Sequence, residues 1–143
     1  MKILRLSPAD AALAALAIER IKPARTSKEL VENFLERPDH YFIAAIAREQ
    51  PIGFALAYEL RRIDRPQSML FLYEIGVAEA ERQRGVAGAM LDFLREKCRE
   101  KGFLKMFVIA NVDNAAAVRL YESKFRGDGR REASVVFTFL PSS

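Results

Sequence analysis

Residues 68–80, SMLFLYEIGVAEA, constrain the fold more than any other stretch of the chain. Apart from Glu74 the first ten residues are almost wholly apolar, which suits a central strand buried on both faces. Glu74 itself needs a reason, because an unpaired buried carboxylate is costly. Either chemistry uses it, or a salt bridge satisfies it, an arginine of LRRIDR (60–65) being one candidate partner.

The surrounding sequence reads as a mixed α/β order. KILRL forms a short first strand. Ser7 and Pro8 then open a helix whose apolar residues Leu13, Leu16 and Ala17 continue to about Ile21. Thr26 or Ser27 caps a second helix with Leu30, Val31, Phe34 and Leu35 at helical spacing, and Pro38 ends it. Residues 40–62 read as two strands joined at REQP, with Pro51 and Gly53 flanking the change of direction. From Val86 to Lys101, Ala87, Met90, Leu91, Leu94 and Cys98 line one helical stripe, and Gly102 stops the helix. FLKMFVIAN is a further strand, DNAAAVRLYESKF a helix capped by Asp113 or Asn114, and EASVVFTFL (132–140) a final strand. A chain of 143 residues forms one domain, 1–143, without repeat or long linker.

Composition removes several classes of function. A single cysteine, Cys98, and a single histidine, His40, leave no Cys/His cluster for a metal and no Cys–His pair for covalent catalysis. Cys98 falls on an apolar stripe and reads as core; His40 reads as structural or as part of a site rim. Asp10 splits the alanine-rich N-terminal stretch and Glu19 and Arg20 close it without a cleavage pattern, so it does not read as a signal peptide, and a cytoplasmic protein is expected. The formal net charge of +4 suits phosphate-bearing partners, but the basic residues are scattered and no nucleic-acid motif is present.

The chemistry gathers in residues 82–88, RQRGVAG. They lie between a strand and a helix, where free backbone N–H groups and the positive end of the helix dipole hold anions. Small residues let a ligand approach the main chain, and Arg82 and Arg84 add charge suited to phosphate. RQRGVA also matches the R/Q-x-x-G-x-G/A signature of the GNAT acyl-CoA-dependent N-acetyltransferases. NAAAVRLY (114–121) matches their later N-x-x-A-x-x-L-Y signature, in the required order. The chain therefore resembles the GNAT superfamily over essentially its whole length. Its strands FIAAIAREQPIGFALAYEL and FLYEIGVAEAERQRGVAGAML and its helix AAAVRLYESKF look most like the GNAT-type aminoglycoside 3-N-acetyltransferases.

The resemblance implies an α/β GNAT fold: a single mixed sheet of about six to seven strands with about four helices, splayed between the fourth and fifth strands. It implies acetyl-CoA as cosubstrate, no metal, a small-molecule amine as partner and neither nucleic acid nor membrane, and it leaves a homodimer open. The main chain at Ile75, Gly76 and Val77, with a bulge or close approach at Gly76, would line the pantetheine arm. Arg82, Gln83, Arg84, Gly85, Val86, Ala87 and Gly88 would hold the pyrophosphate. Asn114, Ala117 and Tyr121 share a helix face toward the cofactor, with Asn114 equally suited to cap its helix.

Glu74 would serve as base or anchor for the acceptor amine, and Tyr121 would support the leaving thiolate. Asp39 and Asp64 are further candidates to receive a cationic acceptor. An aminoglycoside is the expected acceptor; the alternatives are a peptide, polyamine or amino-acid amine, or a CoA-binding sensor without turnover. One departure from the family is visible. Many members carry glycine four residues after the tyrosine, whereas Phe125 and Arg126 stand here and the glycines come later, at Gly127 and Gly129.

Overall fold

The computed structural model describes residues 1–23 and 25–142, which fall into two compact units, Met1–Ile109 and the stretch from Ala110 onward. In the first unit the elements run β1 (Lys2–Arg5), α1 (Ala11–Ile21), α2 (Lys28–Glu36), β2 (His40–Ala47), β3 (Gln50–Leu60), β4 (Met69–Val77), α3 (Val86–Lys101) and β5 (Lys105–Val108). The strands form one sheet in the order β1-β2-β3-β4-β5. Each neighbouring pair from β1 to β4 is antiparallel, and β5 lies parallel to β4 after the α3 crossover.

Local chemistry accounts for the element boundaries. The Asp10 carboxylate accepts hydrogen bonds from the Ser7 N–H and Oγ at 2.8 and 3.0 Å, fixing the entry to a short 3₁₀ turn and then α1. Ser27 Oγ accepts from the Leu30 N–H at 3.1 Å and opens α2. The β2–β3 hairpin turns on Arg48 and Glu49, both at positive φ (53° and 64°), which aligns the turn with the twist of the strands. Pro51 and Gly53, expected to flank the turn, instead lie inside β3, beside a register shift opposite Ala45 and Ile46.

Strand alternation assigns the two sheet faces. Phe42, Ala44, Phe54 and Leu56 pack with Leu6, Ala14, Ala17, Val31 and Leu35 under α1 and α2. The opposite face carries α3, whose Val86, Met90, Leu91 and Leu94 are buried. Gly53 makes this approach close, since a Cβ there would stand 2.9 Å from Val86 Cγ1 and 3.0 Å from Met90 Cε.

The second unit holds α4 (Ala115–Lys124), tied to the C-terminal segment by an Arg131–Glu122 ion pair at 2.9 Å. Five strands are therefore formed among the described residues, not six to seven. The expected strand over 132–140 is not formed. That segment has no ladder partner among the described residues, and Val135, Phe137, Phe139 and Leu140 stand exposed. No helix among the described residues is long and apolar enough to cross a membrane.

Candidate active site

The site begins with an irregularity in β4. Ala57 pairs with Leu72 and Leu56 with Glu74, so Tyr73 is an extra residue bulging from the ladder. Without the bulge Glu74 would share the face of Leu70 and Leu72, which are almost fully buried. With it, the phase of the strand inverts and Glu74 joins Leu56 on the α1 face. The acid in the apolar run is thus kept off the face buried under α3 and stands beside Lys22 at the end of α1, and the bulge sits at Tyr73 rather than at Gly76. Gly76 is a close approach instead: a Cβ there would meet Ile21 Cγ2 at 3.0 Å.

Glu74 lines a cavity of about 190 Å³ with Ile18, Lys22, Arg25, Thr26, Phe54 and Leu56. Lys22, Arg25 and Thr26 also line an adjoining cavity of about 560 Å³, together with Glu19 and Pro23. Lys22 Nζ stands 2.8 Å from Glu74 Oε2. The partner of Glu74 is therefore this lysine at the C-cap of α1 and not an arginine of residues 60–65, where Arg62 instead binds Asp64 at 2.9 and 3.0 Å. Both members of the Lys22–Glu74 pair keep solvent access, and such pairs contribute about 0–1 kcal/mol. An incoming ammonium can replace Lys22 at that small cost.

Beyond Leu72, β4 runs on without β5. The β4–β5 ladder joins 69–72 to 105–108 and stops at Leu72 and Val108, while β4 continues to Val77. The main chain at Ile75, Gly76 and Val77 is hydrogen-bonded on the β3 side and has no β5 partner on the other. The ladder thus ends where β5 itself ends, at Val108.

The chain then passes a 3₁₀ turn (Glu79–Glu81) and reaches α3 through Gln83 at φ 62° and Gly85 at φ 79°. Gly85 is the N-cap and offers no side chain to the first turn, so the amides of Val86, Ala87 and Gly88 have no acceptor within the helix. The first helical bond runs from the Ala89 N–H to the Gly85 carbonyl at 3.0 Å. Nothing lies within 4 Å of where a Cβ of Gly85 would stand, and free amides at a helix start have the chemistry of an anion site. Glu81, largely shielded, holds the loop by ion pairs to Arg48 and Arg84, the latter at 3.5 Å. Arg82 Nε reaches the Val77 carbonyl at 3.4 Å. Both arginines of the motif therefore brace the loop while remaining exposed.

In the second unit Asn114 Oδ1 accepts from the Ala117 N–H at 3.1 Å, so the side chain caps α4 and the Ala117 amide is occupied by it. Tyr121 stacks on Phe125 with ring centroids 6.2 Å apart, and burial raises its phenol above the ordinary value.

The remaining candidates lie elsewhere. Asp64 is engaged by Arg62, and the Asp39 carbonyl accepts from the Glu59 N–H at 2.7 Å; neither residue lines the cavity that contains Glu74. His40 rests against Phe34 and Tyr58, with Nδ1 3.2 Å from the Phe34 carbonyl oxygen. Burial pushes the Cys98 thiol up to about 11, which removes it as a nucleophile at neutral pH. No cluster of metal-ligating side chains exists among the described residues. Lys22, Arg25 and Thr26 are the cavity residues that sequence reasoning missed; their only signal was a basic stretch between two helices.

A bulged β4, a β5 that runs parallel to it over four residues only and a turn with free amides into α3 are the backbone features of the site. The chain belongs to the acetyltransferase (GNAT) family, whose family model matches residues 12–127. Among solved structures it is similar to an aminoglycoside acetyltransferase from an uncultured soil metagenomic sample, at 26% identity and TM-score 0.82 over 99% of this chain and 98% of that one. It is also similar to the ribosomal-protein-alanine N-acetyltransferase of Brucella melitensis biovar Abortus 2308, at 23% identity and TM-score 0.77, covering 97% of this chain and 100% of that one. A third similar structure is the aminoglycoside N-acetyltransferase AAC(6')-Iy in complex with CoA, at 18% identity and TM-score 0.77 over 99% and 95% of the two chains. No curated protein sequence matches the chain.

Proposed function

We propose that the protein transfers the acetyl group of acetyl-CoA to a primary amine by direct attack, with both substrates bound together. The observation that carries this reading is the bulge at Tyr73. It turns Glu74 into a cavity on the strand whose next three residues have no β5 partner. The cosubstrate supplies an activated thioester; the chain supplies positioning and proton handling.

The amides of Val86, Ala87 and Gly88 bind the pyrophosphate, with Arg82, Gln83 and Arg84 shaping the turn that presents them. The free main-chain edge at Ile75, Gly76 and Val77 receives the pantetheine amides. Asn114 and Ala117 act indirectly, by fixing the start of α4. An alkyl ammonium of pKa ~10.4 is neutral in only about one molecule in a few thousand at pH 7, a deficit of roughly 4–5 kcal/mol. Glu74 binds that ammonium and takes its proton, directly or through water. The Tyr121 hydroxyl donates a hydrogen bond to the departing thiolate; full transfer from a phenol of pKa ~10 to a thiol of ~8.5 would be uphill by roughly 2 kcal/mol.

A second reading for the acceptor is an aminoglycoside, supported by the likeness to the metagenomic aminoglycoside acetyltransferase; its 3-N position rests on the sequence resemblance alone. The 6'-N enzyme among the similar folds supports the 6' position equally.

The test is release of free CoA thiol from acetyl-CoA in the presence of aminoglycosides, polyamines, amino acids and short peptides. Amine-dependent release that falls in Tyr121→Phe supports the reading. Binding of acetyl-CoA without release for any amine overturns it in favour of a sensor.

A further inference from the structure

We infer that the acceptor is a compact zwitterion, a primary amine bearing a carboxylate within a few bonds, of which an α-amino acid is the simplest example. The inference rests on the acetyl-transfer reading of the same cavity and deepens it.

The argument is one of charge exchange. Among the described residues Glu74 is the only carboxylate lining the inner cavity, against two cations, Lys22 and Arg25. The adjoining outer cavity adds Glu19 beside the same two cations, so the second acid stands outside the inner cavity that contains Glu74. Lys22 already occupies Glu74, at 2.8 Å, and therefore stands where an acceptor ammonium would have to stand. An ammonium that docks on Glu74 Oε2 displaces Lys22, and the inner cavity then holds Lys22 and Arg25 with no second carboxylate in its lining among the described residues. Arg25 has no ion-pair partner among the described residues that would absorb the change.

A carboxylate on the acceptor restores the balance. It takes Lys22 and Arg25 as its partners while the ammonium takes Glu74, so every charge in the cavity is paired. A short span between the acceptor's two charges follows, because Lys22, Arg25 and Glu74 all line one cavity of about 190 Å³. Polycations fare worse, since the inner cavity offers a further ammonium no carboxylate beyond Glu74 among the described residues. Neutral walls from Ile18, Phe54 and Leu56 leave room beside the charged end for an apolar side chain.

The experiment compares matched compounds on the full chain. Methionine, methioninamide and 3-(methylthio)propylamine differ only in the carboxylate; the same comparison is run across the standard amino acids and their amides, with kanamycin as the polycation. Each compound is titrated calorimetrically without acetyl-CoA, and initial rates of thiol release are then measured with it. The expected result is at least one amino acid preferred tenfold or more over its amide in both binding and kcat/KM. In Arg25→Gln and Lys22→Met that ratio collapses toward one, chiefly through KM. Arg25 is exposed, so its replacement spares the fold, and a thermal melt checks this.

Equal or better use of amides, or tighter binding of kanamycin, overturns the inference and leaves acetyl transfer standing. Selective binding of acids with no thiol release from any amine does the reverse. Absence of both binding and release for every compound overturns both.

Discussion

Lys22 Nζ and Glu74 Oε2 lie 2.8 Å apart, and the pair joins the end of α1 to the residue just after the β4 bulge. Because the pair is solvent-accessible it contributes little to stability, about 0–1 kcal/mol. Glu74→Gln is therefore expected to leave the melting temperature nearly unchanged. Loss of a positioned base costs about 10²-fold or more in kcat. Acetyl-CoA affinity, measured by calorimetry, should stay within a few-fold, because the anion-binding turn is built from other residues. Unchanged turnover in this variant would remove Glu74 from the chemistry.

Gly85 is the hinge of that turn. At φ 79° it sits in the left-handed region, and no atom lies within 4 Å of a would-be Cβ, so Gly85→Ala meets a backbone cost and no clash. The expected destabilisation is about 1–2 kcal/mol. If the turn relaxes to relieve it, the amides of Val86, Ala87 and Gly88 move off target and acetyl-CoA binds more weakly. Denaturant melts and cofactor calorimetry measure the two effects separately. A destabilised protein with unaltered acetyl-CoA affinity would show that the glycine serves the fold alone.

Asn114 accepts from the Ala117 N–H at 3.1 Å and so has a structural task whatever else it does. Asn114→Ala is expected to cost about 1 kcal/mol, and Asn114→Asp or Asn114→Ser to recover most of it, since all three side chains cap helices well. Acetyl-CoA affinity should follow the same order. If Asn114→Ser restores stability and not affinity, the amide contacts the cofactor directly.

Burial holds the Tyr121 phenol protonated beyond its ordinary range. A folded-state pKa above the unfolded one gives a contribution that is complete below the unfolded value of about 10 and is lost as pH rises through the folded value. Tyr121→Phe removes that contribution. The gap in melting temperature between wild type and variant should therefore stay constant from pH 6 to 9 and shift toward the variant above about pH 10. At neutral pH kcat should fall about 10²-fold, as for loss of one donor to a developing anion.

Much of this arrangement was legible in the sequence, and the parts that were not share a cause. Ser27, Gly85, Gly102 and Asn114 announce helix ends through chemistry confined to a few residues, and α2, α3 and α4 begin where that chemistry places them. The apolar run around Glu74 was readable as a central strand. Its phase was not, because the bulge at Tyr73 is a property of the β3–β4 pairing, and so the face on which Glu74 stands could not be read from β4 alone. Lys22 as partner of Glu74 was hidden for the same reason, the two being 52 positions apart in the chain. Residues 132–140 show the converse error: alternating Val and Phe have strand propensity, yet propensity without a ladder partner leaves the segment exposed.

Cys98 offers a test independent of any substrate. With its thiol pushed up to about 11 by burial, it is almost wholly protonated at pH 8, whereas an unperturbed cysteine of pKa ~8.5 is about one quarter thiolate. The reacting species is the thiolate, so modification by a disulfide reagent at pH 8 should be about two orders of magnitude slower in the folded protein than in denaturant. Rapid native-state modification would mean that α3 opens readily along the stripe containing Leu94. Slow modification keeps the protein's own thiol silent while released CoA is counted, so that a signal dependent on the added amine reports acetyl transfer and nothing else.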